Sequence, residues 1–281
     1  MITIARLTVR EASRRRILWT LVGLSILSIA LVTWGVDRLV QLAREHDTTE
    51  LQIQVGVSQV LILVAFMFSF VLAMTAAFLG APAISADLES GIALALLARP
   101  LRRSSLIVGR WLGLAAVTSV YAIGSGLAAL VAVSLVSGYR PPNPVIPVAF
   151  LAAEALILMT FTLLLSTRLP AIAGGAVAVV VYGLTWMAGV MGGVAPVFHA
   201  DSLARIADAV RYLVPSDGLW RGVIYGLEPP VLLALAAGND AARANPFYAS
   251  TPPEPIFVAW CVAWVAIVLG LAVLSLNRRE I

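Results

Sequence analysis

The sequence predicts an all-α polytopic membrane protein with six transmembrane helices. Three features of the chain lead there. The 281 residues are 60% hydrophobic and only 12% charged, with a mean hydropathy of +0.96. That is too apolar for the surface of a soluble domain of this length. The apolar residues fall in runs long enough to cross the hydrocarbon layer as helices, for which ~20 residues suffice. The arginines gather at the ends of those runs, as topology determinants do, and no basic domain is present. The net charge of +4 therefore supports no nucleic-acid partner.

In residues 1–16, Arg6, Arg10, Arg14, Arg15 and Arg16 are interleaved with Ile4, Leu7, Val9 and Ala12, with Glu11 among them. That mixture predicts an interfacial helix, its apolar side chains dipping into an anionic leaflet and its guanidinium groups at the headgroups. The cluster leads into a full-length apolar run, so no cleavable leader is expected. The first span covers 17–36, and a polar loop follows over 37–54. The second covers 55–79, the third 106–136, the fourth 145–165, the fifth 170–191 and the sixth 256–276.

Between the second and third spans lies the polar stretch 83–100. It opens on Ser85, Asp87 and Glu89, continues through Ile92, Leu94, Leu96 and Leu97, and closes on Arg99, Pro100, Arg102 and Arg103. Acids in a first turn and cations after a last one suit a short helix along its macrodipole. Leu88, Ile92 and Leu96 recur one turn apart and give it an apolar face, and Pro100 ends it. This reads as a cytoplasmic contact element. Twelve arginines on that side against three (Arg38, Arg44, Arg140) in the other short loops place it and both termini in the cytoplasm.

The long segment 192–255 falls on the outer face by the span count. Leu203, Ile206, Ala207, Val210 and Leu213 recur at helical spacing and predict an amphipathic helix at the outer interface. Pro215, Ser216 and Asp217 break it. Trp220 and Tyr225 read as interfacial anchors, the run 231–237 is too short to span, and 238–255 reads as an exposed loop.

Chemistry is sparse. All nineteen basic residues are arginine. A phosphate-binding P-loop needs a lysine, so ATP-driven work must come from another polypeptide. His46 and His199 have no ligand partners at suitable spacing, and the single Cys261 excludes an internal disulfide or a cysteine-cluster metal site. Asp87 and Glu89 are two apart and do not share a helix face, so they make no acid–base pair. Glu154 stands out, about ten residues (~15 Å) into the fourth span. A carboxyl there must be protonated, or face a neighbouring helix, a dimer interface or a substrate path. Glycines 109, 113, 124, 126, 174 and 175 suggest close helix packing, and the cluster 189–193 could let the fifth span break.

The stretch ISADLESGIALALLARPLRRSSLIVGRWLG, residues 84–113, resembles the membrane subunit of a type-2 ABC transporter, the exporter-permease family. The acid–glutamate–glycine opening falls on Asp87, Glu89 and Gly91. The leucine-rich turn falls on Leu94 to Leu97, and the Arg-Pro pair with its basic residues on Arg99, Pro100, Arg102 and Arg103. Ile92 replaces a usual threonine, and Arg110 a usual lysine. The similarity extends over the N-terminal segment, the six spans and the Pro-Ser-Asp break at 215–217. It implies an elbow helix at the N-terminus (Arg10, Glu11, Arg14, Arg15, Arg16) and a coupling helix over 83–100. It further implies a cytoplasmic ATPase subunit that holds ATP and Mg, a second copy of the chain, and export of a cargo. The sparse polar lining leans towards an apolar or amphipathic one. A membrane relay acting on an outer-face partner, or an ion-driven carrier, are the alternatives.

Overall fold

The computed structural model describes residues 1–14, 16–89, 103–235, 245–249 and 251–279. Eleven helices and no strand occur among them. They are α1 (Ile2–Arg14), α2 (Arg16–Glu45), α3 (Glu50–Gly80), α4 (Pro82–Glu89), α5 (Arg103–Ser137), α6 (Val145–Ser166), α7 (Ala171–Val194), α8 (Asp201–Leu213), α9 (Ser216–Leu227), α10 (Pro230–Leu235) and α11 (Pro255–Asn277). Six of these, α2, α3, α5, α6, α7 and α11, are long and apolar enough to cross a membrane. With an even number of crossings both termini lie at one end of the bundle, here the terminal end. The opposite end is the distal end.

The polar loop expected over 37–54 is largely helical. α2 runs on to Glu45 and α3 starts at Glu50. Hydropathy marks where hydrocarbon stops, whereas the helix stops where its hydrogen bonds find caps. Arg38 donates to Gln41 and Gln41 to Asp37, one turn apart, which sustains the polar end of α2. Thr49 and Gln52 form a capping box that starts α3. The turn between them carries Asp47 in the left-handed region, at φ 53°.

α6 is the hub. Of its most apolar window 61% is buried, against 11% for α2, which lies at the edge. Two close approaches fix the bundle's ends, and both need glycine. At the terminal end α1 lies on α5. A Cβ on Gly113 would stand 2.6 Å from Thr8 Cβ and 2.7 Å from the Ala5 carbonyl. Thr8 and Ala12 are buried there, whereas Leu7 is exposed. The face of α1 that packs is thus the small-residue one, and only part of the predicted apolar face is free for lipid.

At the distal end α9 is the surprise. Trp220, expected as an interfacial anchor, is buried against Phe66 at 5.6 Å between ring centroids, and Phe247 and Trp186 complete the aromatic cluster. α9 dips back into the bundle. A Cβ on Gly222 would meet the Phe150 ring at 2.6 Å and one on Gly226 would meet Pro147 at 2.6 Å, so α9 rides close on the first half of α6. Residues 236–244 and 250 of the expected exposed loop lie outside the described residues. Of the part described, Tyr248 and Ala249 are buried.

α8 carries the predicted amphipathic pattern and rests its Ala207 against Gly192 of α7, leaving Ile206 and Leu213 exposed. Its last carbonyls are capped by α11: Trp260 Nε1 donates to Tyr212 O at 3.0 Å and Trp264 Nε1 to Leu213 O at 2.7 Å. The fifth span does not break at 189–193. α7 is continuous to Val194, and Gly189 instead makes room for the Asp217 carboxylate.

Candidate functional site

The chemistry-bearing residues collect at the terminal end, around the two legs of the segment between the second and third spans. On the first leg α3 passes through Ala81 directly into α4, with Ala81 N–H donating to Ala77 O at 2.9 Å. Pro82 is tolerated there because a first helical position needs no N–H. Asp87 and Glu89 consequently lie about a turn and a half to two turns past the start of α4, at the end of its described part. Ser85 is buried and donates back to Ala81 O. Leu88 packs on the core of this end, and Glu89 is exposed. Gly91, Leu94, Leu97, Arg99, Pro100 and Arg102 lie outside the described residues, as does Arg15.

Arg110, one to two turns into α5, joins this leg to the N-terminal helix. Its Nη2 donates to Asp87 Oδ2 and its Nη1 to Glu11 Oε2, both at 2.6 Å. Glu11 lies three residues after Thr8 and so shares the face of α1 that packs on α5. The guanidinium fork thereby bridges two helices from a third, an arrangement a point charge could not copy with equal direction. Arg10, Arg14 and Arg16 remain exposed.

Arg103, on the second leg, does not face outward. Its Nη1 donates to the carbonyls of Leu276 (2.7 Å), Asn277 (3.1 Å) and Arg279 (3.1 Å), at the C-terminus of α11. A cation there meets the negative end of the helix dipole and the orphan carbonyls. The connection between α6 and α7 grips the same helix end. Arg168 donates to Ser275 Oγ (2.9 Å) and Ser275 O (3.0 Å), Thr167 and Ser275 share a hydroxyl contact at 2.8 Å, and Arg279 donates to Thr167 O at 2.7 Å. Arg110 reads in the sequence as part of the motif and Arg168 as a topology charge. The partners of both lie far away along the chain, so no local signal marked their contacts.

Glu154 lies away from this junction. It is 4% exposed, accepts from Ser69 Oγ at 2.8 Å, and sits beside Tyr182, whose hydroxyl is 2.6 Å from that serine. Its carboxyl thus faces α3 and α7 within the chain and does not line the apolar groove between α2, α3 and α5. That groove holds about 420 Å³ and is lined by Ile29, Val32, Val64, Phe68 and Val148, among others. Two of its hydroxyls have partners within the chain, Ser25 with Tyr121 and Thr33 with Ile29 O.

At the distal end Asp217 is buried between Arg221 (3.2 Å) and Arg211 (3.5 Å), and Arg221 also donates to Gly189 O. Glu228 is fully buried and accepts from Ala249 N–H at 3.3 Å. Burial pushes its carboxyl up to about 8. Among the described residues no three His, Cys, Asp or Glu side chains could hold a metal ion.

A family model described as ABC-2 family transporter protein matches residues 2–281. No curated protein matches the chain.

Proposed function

The chain belongs to the ABC-2 transporter family, a membrane permease component and not itself the ATPase, and from that premise we propose that it couples a separate ATPase to cargo export. ATP and Mg sit on that cytoplasmic partner. The segment 83–100 docks there and passes the partner's movement to the spans, with both termini on the same, cytoplasmic side of the cell membrane. A second copy completes the path. The observation that carries this reading is the Arg110 clip. It ties the first leg of the segment to the N-terminal helix and the third span, so a push on the segment cannot be absorbed locally. The lysine-free chain has no P-loop of its own. The groove, lined mostly by aliphatic side chains, supports an apolar or amphipathic cargo.

Purification from the native host in mild detergent tests this. The expected result is a co-purifying subunit with a P-loop, in about equal amount. Glu89→Arg, at the exposed end of α4, should leave that complex assembled while its ATP turnover no longer responds to cargo. A chain that comes out alone, even after crosslinking in the membrane, sinks the proposal.

A further inference from the structure

The coupling reading leaves open which spans the segment drives, and the geometry at its second leg answers that. We propose that Arg103 is a positioning residue through which the segment moves the sixth span, so that α11 is a driven helix and not passive scaffold; this rests on the coupling reading above. Arg103 Nη1 directs its two N–H groups at a cluster of carbonyls, those of Leu276 (2.7 Å) and Asn277 (3.1 Å) in the last turn of α11 and that of Arg279 (3.1 Å) just past it. These acceptors are main-chain groups at a helix end, so force on Arg103 acts on the axis of α11 and not on a flexible side chain. Arg103 is also the first residue of α5, the point where the segment returns to the bundle. Displacement of the segment therefore reaches the third span by the backbone and the sixth by this contact.

Thr167 and Arg168 bind the same helix end from the fourth–fifth connection, Arg279 just past that end donates back to Thr167 O, and Leu276 and Ala272 pack in a core shared with Ile84, Leu106 and Ile107. These contacts keep α11 seated when Arg103 is changed. Loss of Arg103 should then remove transmission and not folding. Arg103→Lys should largely preserve it, because an ammonium carries three donors for three carbonyls, whereas Arg103→Gln offers a neutral amide with two.

The test uses the complex purified with its own ATPase, in a Cys261→Ala background. Spin labels on Leu51 and Leu274 report the sixth span, and labels on Leu51 and Leu112 report the third; all three sites are about half exposed. Trapping with ATP and vanadate should change both separations in the wild type. In Arg103→Gln the displaced Leu51–Leu274 population should fall roughly tenfold, the factor that loss of one charge-assisted hydrogen bond implies. The Leu51–Leu112 change should persist, and Arg103→Lys should restore the Leu51–Leu274 change. Equal movement of both pairs in Arg103→Gln overturns the proposal. So does a wild type in which only the third span moves, a result that leaves coupling standing and needs no variant to fold. Movement in neither wild-type pair removes the coupling reading itself, and this inference with it.

Discussion

The two ends of the bundle use the same chemistry, arginine against oxygen, for different purposes. At the distal end one carboxylate sits between two arginines: Asp217, 5% exposed, faces Arg211 and Arg221. At the terminal end one arginine sits between two carboxylates: the side chain of Arg110 is 15% exposed, that of Asp87 16% and that of Glu11 47%. A buried carboxylate is costly to leave unpaired, so Asp217 serves to hold α9 in the fold. Arg110 joins three helices, and its arm to Glu11, half in water, adds direction more than stability. Which partner stands at the centre separates scaffold from linkage in this protein.

That comparison can be broken, and the largest effect should come from Asp217→Asn. It leaves Arg211 and Arg221 facing a neutral group and should destabilise by about 2–3 kcal/mol, less than for a fully buried pair because both arginines are a quarter exposed. Thermal unfolding in detergent followed by tryptophan fluorescence checks it, since Trp220 lies in α9 and Trp186 is in the same aromatic cluster. A loss below ~0.5 kcal/mol would erase the distinction between the two ends.

A smaller effect is expected from pH at Glu228. Its carboxyl is raised in the closed fold, so the protonated form is the one that fits. Distal-end stability is therefore full below the ordinary carboxyl value and is lost as pH rises towards about 8, with no further loss above. Between pH 6 and 8 the change should be ~2 kcal/mol. Hydrogen exchange at Ala249 should report it in the wild type and lose its slope in Glu228→Gln. A wild type as flat as the variant would contradict the assignment.

Gly222→Ala should come next, at ~1–2 kcal/mol, because the Phe150 ring can tilt but the α6 backbone cannot retreat. Trp220 fluorescence that stays as shielded from a water-soluble quencher as in wild type would argue against that tight approach. Last should be Arg110→Gln, at about 1–2 kcal/mol, because Asp87 is 16% exposed and Glu11 47%. Its consequence should appear instead in the ATPase complex, as ATP turnover that no longer responds to the state of the permease. A large stability loss with normal coupling would reverse the roles assigned to the two ends.

The number, order and approximate limits of the six spans are legible in the sequence, because hydropathy is a local property and lipid leaves the backbone no alternative to helices. The short N-terminal helix, the amphipathic α8 and the family itself are legible for the same reason, carried by periodicity and by one contiguous motif. The burial of Trp220 is not legible. An aromatic in a polar segment suits an interface equally well, and only the Gly222–Phe150 and Gly226–Pro147 approaches bring α9 inside. The sequence also does not say that Asp87 and Glu11 meet on Arg110, or that Arg103 turns to the end of α11. Those partners lie 23, 99 and 173 residues apart. Local pattern determined what each helix is. Which helix is central, and which arginine holds which oxygen, was decided by three-dimensional packing, where contacts between distant residues are first defined.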